Sequence, residues 1–418
     1  MGDGSAAAGC VVGALACQRD AYLRTLETEV VACDGGGQGR GPAAKTWLIE
    51  FADSVLFPEG GGQPSDHGSV AVLSPSADAI PITRVERRGL RCVVHSPVPL
   101  RPGDRVRQTV DFGRRWDHMQ QHTGQHLVSA VARELCDLQT LGWGMGAAGA
   151  MNYVDLPRRP SGPEIRRIQD RCNGLIQENL PITVTYPRDT RDTEPDKGVI
   201  RVASIGGLDQ NECCGTHLSQ TSHISAVLLL SCQAVNAQRQ RLYFVAGDRA
   251  LDHATRSAQG LAALARQLAC GGSPDEIGQQ AERMRRSLDE AKRRERRLVA
   301  HIAKLEAERA RPALRAGGGA CVYHAEGGAD FMTGVKSQVR DLAADMAGPL
   351  IVATGEPDKA GQVWILGCEE RVQAAAEAAQ ALVAELKGHG RGRTWQGKTP
   401  RLTSRELEAL RKLAEEGQ

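Results

Sequence analysis

The stretch CCGTH at residues 213–217 places a thiol and an imidazole four residues apart around a glycine. A second pair of donors stands in HTGQH at residues 122–126, where two histidines are spaced i and i+4. If residues 122–126 are helical, both imidazoles project from one face. Two such nitrogens, a thiolate and a third imidazole make the tetrahedral donor set that suits zinc. The two stretches therefore predict one zinc site, and the chain must fold so that they meet.

The spacing of the donors leaves one alternative open. Cys214 stands beside the first thiol, so pairing of Cys214 with His217 is the alternative to pairing of Cys213 with His217. Gly215 is expected to let the backbone turn tightly between the two donors. The zinc-peptidase motif HExxH does not fit residues 122–126, because Thr123 occupies the position of its glutamate. The predicted zinc ligands are His122, His126, Cys213 and His217.

A third stretch, LFPEGGGQPSDHGSV at residues 56–70, carries three consecutive glycines. Such a run cannot fill a core, but it allows the backbone to approach a ligand closely. Polar residues bound the glycines and could orient that ligand; a flexible loop is the alternative interpretation. The candidate substrate-binding residues are Gly60, Gly61, Gly62, Gln63 and Asp66.

The composition limits the class of protein. Of the 418 residues, 41% are apolar, which is enough for sizeable cores and too many for a disordered chain. A net charge of +2 argues against a protein that coats nucleic acid non-specifically, although it permits a local basic surface. The sequence predicts no membrane segment, because no run approaches roughly 18 uncharged apolar residues. The amino-terminal MGDGSAAAGC lacks the basic segment of a signal peptide. Twelve cysteines, mostly single, favour a reducing, cytoplasmic location.

The pattern of apolar residues predicts an α+β protein of four segments. Short apolar runs between turns indicate a β-rich, barrel-like module at the amino terminus. Apolar residues at helical spacing predict helices over 115–136 and 162–179. Strand-like runs follow at 181–186, 199–205, 226–232 and 241–246. The predicted segments are the barrel-like module with the glycine motif (1–110), an α+β zinc-binding domain (111–250), a helical arm (251–312) and a small α/β domain (313–418).

A long helix of the arm is predicted to begin at Ser273. This serine is followed by a first-turn proline and, three residues on, by a capping-box glutamate. Apolar residues then recur at alternating steps of four and three over 277–305, with Glu295 as the one polar residue in this heptad seam. The seam permits either packing on the same chain or dimerisation. The predicted oligomeric state is therefore a monomer, or a dimer formed through the arm.

Taken together, four stretches resemble the alanyl-tRNA editing proteins, free-standing relatives of the editing domain of alanyl-tRNA synthetase. The stretches, in the order of that family, are CQRDAYLRTLETEVVAC (17–33), FPEGGGQPSDHG (57–68), DHMQQHTGQHLVSA (117–130) and CCGTH (213–217). The zinc motif of the family, HxxxH followed by CxxxH, falls on the four predicted ligands. The resemblance therefore implies one zinc ion per chain, and it is firmest over 17–247.

The resemblance implies a hydrolase that removes serine, or as a second candidate glycine, from mischarged alanine tRNA while sparing Ala-tRNA(Ala). A synthetase pocket shaped for alanine cannot strongly exclude serine, whereas a second site that hydrogen-bonds the serine hydroxyl can reject alanine. Gln63 and Thr216 are the candidate catalytic residues. Zinc could lower the pKa of a bound water or hold the substrate. Four protein ligands leave no open position on the ion, so the generation of hydroxide would need a fifth position or the loss of one ligand; we favour positioning of the substrate.

The carboxyl-terminal part resembles the C-terminal domain of alanyl-tRNA synthetase, which touches the tRNA body. The stretch RGRTWQGK (391–398) matches the glycine-rich pattern of that family more loosely. Alanine tRNA is therefore the implied partner, gripped by a basic loop over 388–401 in which cations contact phosphates and a tryptophan stacks on a base or ribose. Arg114 and Arg115, just before the ligand helix, are further candidates. The candidate tRNA-binding residues are Arg391, Arg393, Trp395 and Lys398.

Two other functions compete with this interpretation. One is a catalytically silent RNA- or protein-binding module on an editing fold, which the intact metal donors disfavour. The other is a zinc hydrolase of small molecules or peptides, which the tail resembling a tRNA-binding domain disfavours. Since the chain begins almost directly at the editing module, we expect it to remove amino acids from tRNA rather than to attach them.

Overall fold

The computed structural model describes residues 10–35, 46–74, 78–189, 192–194, 197–342 and 346–416. Residues 1–9, on which the signal-peptide prediction rests, lie outside this part. The chain divides into two units, Met1–Gly260 and Leu261–Gln418, and both contain helices and sheets, so the predicted α+β class is confirmed. The finer boundaries at 110, 250 and 312 stay predictions. Across the described ranges, every helix is too short or too polar to pass through a membrane.

The first unit begins with a curled antiparallel sheet of seven strands. Its elements are α1 (Ala16–Arg19), β1 (Thr25–Gly35), β2 (Trp47–Phe51), β3 (Gly68–Val72), β4 (Ile80–Ile82), β5 (Val85–Arg88), β6 (Arg91–Ser96) and β7 (Arg105–Val110). Along β7, Val106, Gln108 and Val110 are buried and the residues between them are exposed, as the two-residue period of a strand requires. The strand order is β4-β3-β7-β1-β2-β6-β5, and only two residues join β4 to β5 at opposite edges. The sheet therefore curls into a nearly closed barrel, as predicted.

Two helices, the first part of a third and three further sheets complete the first unit. The elements are α2 (Phe112–Cys136), β8 (Gly142–Gly144), β9 (Asn152–Leu156), α3 (Gly162–Gln177), β10 (Ile182–Thr185), β11 (Thr193–Glu194), β12 (Gly198–Val199), β13 (Val202–Ile205), β14 (Asp209–Glu212), β15 (Val227–Asn236), β16 (Arg239–Ala246) and α4 (Gly247–Leu268). The helix α2 packs on α3 and on a sheet of order β15-β16-β9-β8. Met119, Leu127 and Phe244 lie in this core. The predicted helices and strand-like runs of this region are confirmed to within a few residues.

The middle of α2 is buried and yet polar. Residues 120–126 include glutamine, histidine and threonine side chains that are all buried. Buried polar side chains normally have hydrogen-bond partners, so these turns mark a site rather than an ordinary core. The strand β14 ends at Glu212, directly before Cys213, and lies against α2. This contact brings the two pairs of predicted ligands together.

The second unit starts with a long helix whose cap follows the prediction. Its elements are α5 (Pro274–Arg315), β17 (Ala320–His324), α6 (Gly328–Gln338), β18 (Leu350–Thr354), β19 (Lys359–Leu366), α7 (Glu369–Leu382), β20 (Lys387–Arg391), β21 (Thr394–Leu402) and α8 (Ser404–Glu416). The Glu276 N–H donates to Ser273 Oγ at 3.3 Å, and the Ser273 N–H donates to Glu276 Oε2 at 3.2 Å. The predicted capping box is therefore confirmed.

Two faces of α5 differ in their packing. Ala303, Ala307 and Leu314 lie on one face and are buried against α6. Four apolar residues of the predicted heptad seam lie on another face and are 45–53% exposed, namely Met284, Leu288, Leu298 and Leu305. Packing within the second unit therefore uses mainly a face other than the seam, although Ile302 of the seam also packs against this core. Dimerisation through the seam stays a prediction.

The sheet of the second unit has the order β17-β18-β19-β21-β20, with β17 and β18 parallel and the other pairs antiparallel. The prediction of a loop over 388–401 is wrong, because these residues form the hairpin β20–β21. Trp395 on this hairpin is only 7% exposed. A Cβ on Gly388 or Gly397 would lie 2.4 or 2.3 Å from its ring, so these glycines make room for the indole. Trp395 is a core residue that cannot stack on a base, which corrects its assignment to tRNA binding.

Candidate metal centre

The four predicted zinc ligands lie together, three of them buried and Cys213 half-buried. One donor atom from each falls within 4.8 Å of the others. The Cys213 Sγ lies 3.3 Å from His122 Nε2 and 3.1 Å from His217 Nε2. Tetrahedral ligands at the bond lengths of zinc stand roughly 3.5 Å apart. One thiolate and three imidazoles in this arrangement fit that ion.

The protonation of the cluster also suits a metal. Burial alone would raise the pKa of Cys213, but the imidazoles of His122 and His217 hold it well below the ordinary thiol value. Burial lowers the pKa of His217 to about 3, so this imidazole is neutral. Burial opposes protonation of His126 too, yet the nearby side chains of Asp209 and Cys213 raise its pKa to about 9. The cluster thus holds a thiolate, a neutral imidazole and a proton on His126 that a metal would displace.

Gln63 and Thr216, the candidate catalytic residues, are both buried behind His122. The His122 Nδ1 donates to Gln63 Oε1 at 2.8 Å. Thr216 fixes this amide, since its N–H donates to Oε1 at 3.1 Å and its Oγ1 accepts from Nε2 at 2.9 Å. The backbones of Gln63 and Gly60 exchange hydrogen bonds of 3.0 and 3.1 Å. These contacts leave His122 Nε2 free for a metal, so the two residues position a ligand rather than face the cavity.

The other two imidazoles have polar neighbours as well. His217 Nδ1 lies 3.4 Å from the hydroxyl of Thr123. His126 Nδ1 lies 3.9 Å from Asp209 Oδ2. Such partners orient ligand rings and set which nitrogen coordinates. All three histidines are therefore held from the side opposite the thiolate.

Asp66 is not a substrate-binding residue. It is fully buried against the equally buried Arg115, whose Nε lies 3.1 and 3.0 Å from its two carboxylate oxygens. Arg115 also donates to the carbonyls of Ala21 and Val55 at 2.9 and 2.7 Å. Every charged group of the pair is thus satisfied inside the protein, and the pair ties the glycine motif to α2. The assignments of Asp66 to substrate and of Arg115 to tRNA are both corrected.

A cavity of about 560 Å³ lies over the cluster, and the glycine motif forms one of its walls. A Cβ on Gly61 would lie 2.7 Å from Cys214 Sγ, and one on Gly62 would lie 2.7 Å from the ring of Trp143. Both glycines have positive φ, 59° and 83°, a conformation that favours glycine. Trp143 in turn lies on His122, with ring centroids 4.7 Å apart. At the two glycines that line the cavity the backbone thus lies close to neighbouring side chains, and its approach to a ligand stays a prediction.

Gly215 is needed for a different reason from the predicted tight turn. It is not among the residues with positive φ in the described part of the chain. Instead, a Cβ here would lie 2.2 Å from His122 Cε1 and 2.7 Å from Gln63 Oε1. The glycine therefore lets the His122 ring approach residues 213–217, which carry two of the four donors and which we call the ligand loop. Cys214 packs on Gly61 and is not part of the donor cluster, so its alternative assignment as a ligand is not supported.

The opposite wall of the cavity carries polar residues that the sequence did not single out. Gln125 Nε2 donates to Ser129 Oγ at 2.9 Å, and Thr140 Oγ1 donates to the same oxygen at 2.7 Å. Beyond them Arg133 pairs with Asp209. The sequence could have indicated Ser129 and Arg133, because they continue the spacing of His122 and His126 along one face of α2. Thr140 and Asp209 stand in segments with no such period.

Comparison with known proteins identifies the family. Residues 200–243 match the threonyl and alanyl tRNA synthetase second additional domain. The chain is 32% identical to alaX of Saccharomyces cerevisiae over 439 residues, which cover 96% of each protein. It is 31% identical to the alanyl-tRNA editing protein Aarsd1 of Rattus norvegicus over 415 residues, 95% of this chain and 97% of the relative. The chain belongs to the alanyl-tRNA editing proteins. The family predicted from its motifs is confirmed.

This alanyl-tRNA editing protein is also similar to part of a synthetase. It is 30% identical to the alanine–tRNA ligase of Natronomonas pharaonis over 254 residues, which cover 56% of this chain and 26% of the ligase. The editing protein thus shares a limited segment with the ligase, whereas it aligns with the editing proteins over almost its whole length.

Within residues 200–243, which match the family domain, a buried arginine binds the backbone of the ligand loop. Arg201 is 3% exposed, and its Nη1 donates to the carbonyls of Cys214 and Gly215, both at 2.8 Å. Its Nη2 donates to the carbonyl of Gln18 at 2.8 Å. The Gln18 side chain completes the clamp, because its Nε2 donates to the Cys214 carbonyl at 2.7 Å. No carboxylate of the described chain pairs with Arg201, so its charge acts on backbone carbonyls beside the ligand thiolate.

Proposed function

We propose that this editing protein hydrolyses the ester of serine, and secondarily of glycine, on alanine tRNA while sparing Ala-tRNA(Ala). It is an aminoacyl-tRNA deacylase by its family, and the preference among substrates is what we add. A single observation carries the proposal: the cavity joins a four-donor metal cluster to a glycine wall and a polar wall. Alanine tRNA is the proposed partner, and the scattered cysteines favour a cytoplasmic location.

The proposed cofactor is one zinc ion per chain, since the donor set fits that ion. Bound here, zinc would act as a Lewis acid that holds the amino group or the ester carbonyl of the substrate. Four side chains complete a tetrahedral shell, so either role would need a fifth ligand on the ion or the release of one side chain, and we assign it positioning rather than the generation of hydroxide. Gln63 and Thr216 support this role from behind, because they keep one imidazole directed at the cluster. The proposed ligands are His122, His126, Cys213 and His217.

Discrimination between serine and alanine requires a polar partner for the serine hydroxyl. Gly61 and Gly62 bring backbone to one wall of the cavity, and Gln125, Ser129 and Thr140 supply amide and hydroxyl groups on the other. A wall that hydrogen-bonds a hydroxyl is left with unpaired polar groups when alanine binds. We therefore expect alanine esters to be poor substrates even though alanine is the smaller residue.

We propose that the second unit contacts the tRNA body through an exposed side of its sheet. The helix α6 lies mainly on β18 and β19, and the side chains of β20 and of alternate residues of β21 are exposed. Trp364, Gln396 and His389 form a row across this side, and Lys336 Nζ lies 5.9 Å from the Trp364 ring. Trp364 thus takes the stacking role predicted for Trp395. The proposed phosphate contacts are the exposed Arg391, Arg393 and Lys398.

The test compares Ser-tRNA(Ala) with Ala-tRNA(Ala) as substrates of the full-length protein supplied with zinc. We expect serine release far above the buffer rate, and alanine release close to it. Cys213→Ala should lose metal and activity together, because it removes the thiolate from the cluster. Cys214→Ala is the matched control and should keep its metal. Buffer-level rates on both substrates would favour the catalytically silent binding module instead.

A further inference from the structure

The cavity over the metal cluster has a second end that the proposed chemistry does not use. His122, His126, Ser129 and Arg133 follow one another at steps of four, three and four, and all four line the cavity. This spacing places them on one face of α2. The rise of the helix separates His126 from Arg133 by about 10 Å along its axis. One end of the cavity therefore lies at the metal donors and the other at Arg133, and we call the latter the cationic end, although Asp209 and Glu212 also line the cavity.

Arg133 is held at the cationic end by a buried carboxylate. Its Nη2 donates to Asp209 Oδ1 at 2.8 Å. The Arg133 side chain is 47% exposed, whereas that of Asp209 is 1% exposed and also accepts a bond from Asn211. A guanidinium carries five N–H donors in a planar fork, and one side of this fork is used by Asp209. The rest of the fork can reach a ligand in the cavity.

The chemistry of the cationic end selects one class of ligand. Among the lysines and arginines of the described chain, Arg133 is the one that lines this cavity. A guanidinium fixed in one orientation binds phosphate with two parallel hydrogen bonds, and its partner carboxylate reduces the ordering cost of binding. Between the two ends, Ala130 presents only a methyl group to the cavity. This stretch leaves room for a sugar or a base.

We propose that Arg133 binds the 5′-phosphate of the terminal nucleotide whose amino-acid ester lies at the metal cluster. The inference rests on the proposed function, because an ester on a terminal ribose has its nearest negative charge on the phosphate of the same nucleotide. The residues along this face of α2 then match the substrate in order. The ester lies at His122 and His126, the nucleoside lies over Ala130 and Ser129, and the phosphate lies at Arg133. Asp209 positions both ends, since it contacts His126 and Arg133.

The test uses two substrates that differ in the phosphate. One is Ser-tRNA(Ala), and the other is seryl-adenosine, which carries the same ester on a nucleoside with no phosphate. In the full-length, zinc-supplied enzyme, Arg133→Gln should raise KM for Ser-tRNA(Ala) about tenfold or more, the scale of a lost charge-assisted hydrogen bond. We expect KM for Ser-tRNA(Ala) to rise by a much larger factor than kcat falls, and kcat/KM for seryl-adenosine to fall much less than kcat/KM for Ser-tRNA(Ala). The slope of log KM against log salt should fall by about one.

Two further variants sharpen the comparison. Arg133→Lys keeps the charge, so it should keep the salt slope while losing part of the affinity. Arg171→Gln removes a similarly exposed arginine that pairs with Glu178 outside the cavity. It should leave the kinetic constants for both substrates unchanged. Equal losses on both substrates, or no loss on Ser-tRNA(Ala), would overturn the phosphate subsite. Wild-type rates at the buffer level on both substrates would overturn the proposed function, and this inference with it.

Discussion

Gly215 sets the distance between the ligand loop and the ring of His122. The imidazole fills the space that a Cβ at 215 would occupy, with only 2.2 Å between the two carbons. Either the loop or the ring must therefore move if any side chain is added. Because Cys213 and His217 flank this glycine, such a movement changes the direction of two donors at once.

We predict that Gly215→Ala lowers the affinity for zinc by about tenfold to a hundredfold, the effect seen when groups behind a metal site are disturbed. Chelator competition on the folded protein measures this loss directly. Gly207→Ala is the control, since its Cβ would meet nothing within 4 Å. An unchanged affinity in Gly215→Ala would mean that the loop relaxes without moving the donors.

At this scale the metal donors could be predicted and their supports could not. The period of a helix places His122 and His126 on one face wherever that helix packs. Asp66 is different, because its partner Arg115 stands 49 residues away. A sequence does not show whether a carboxylate beside three glycines faces a cavity or a buried guanidinium.

Among the elements, the loop after β14 is held from behind by two side chains. Arg201, just before β13, and Gln18 on α1 both donate to the carbonyl of Cys214. This arrangement fixes the backbone on which the thiolate ligand stands. A guanidinium that bonds carbonyls from separate elements cannot be replaced by an ammonium without losing some of these contacts.

We predict that Arg201→Met destabilises the protein by several kcal/mol, since each buried carbonyl left without a donor costs about 1–3 kcal/mol. Thermal unfolding measures this loss. Cobalt substitution adds a local readout, because the thiolate-to-cobalt absorption band should shift as Cys213 moves. Arg201→Lys should fall between wild type and Arg201→Met, and the exposed Arg188→Gln should resemble wild type. A normal cobalt spectrum in Arg201→Met would reject the positioning role.

Elements with strong local signals were predictable, and one strand pair was not. The start of α5 followed from its capping box, and α2 followed from apolar spacing. The hairpin β20–β21 escaped detection because its strands carry glycine at alternate positions, where an apolar side chain would reveal a two-residue period. Gly388 and Gly397 make room for the ring of Trp395, a contact visible only after folding.

For the whole molecule, similarity to the editing proteins extends over both units, since the alignments cover 95–96% of the chain. The first unit holds the candidate metal centre, and the second holds a sheet with a half-buried tryptophan and exposed basic residues on one side. We therefore expect the first unit to carry out hydrolysis and the second to contribute affinity for tRNA.

We predict that Trp364→Ala in the full-length protein raises KM for Ser-tRNA(Ala) about tenfold and leaves kcat unchanged, as expected for the loss of one stacked base. Steady-state kinetics check this split. The kinetic constants for hydrolysis of seryl-adenosine should be the same in Trp364→Ala and wild type, because that substrate lacks the tRNA body. Leu382→Ala, at an exposed apolar residue on α7, serves as the control. An unchanged KM would show that this side of the sheet does not contact tRNA.

The contacts between the barrel and α2 limit how the protein can be divided by recombination. The ion pair of Asp66 with Arg115 crosses this boundary, and Gln18 and Gln63 reach the ligand loop from the barrel. A gene fragment that began after residue 110 would encode every metal donor and lose Gln18, Gln63 and Asp66, which support the donors from the barrel side. Exchange of this module between free-standing proteins and synthetases would therefore have to transfer the barrel and α2–β16 as one inherited block.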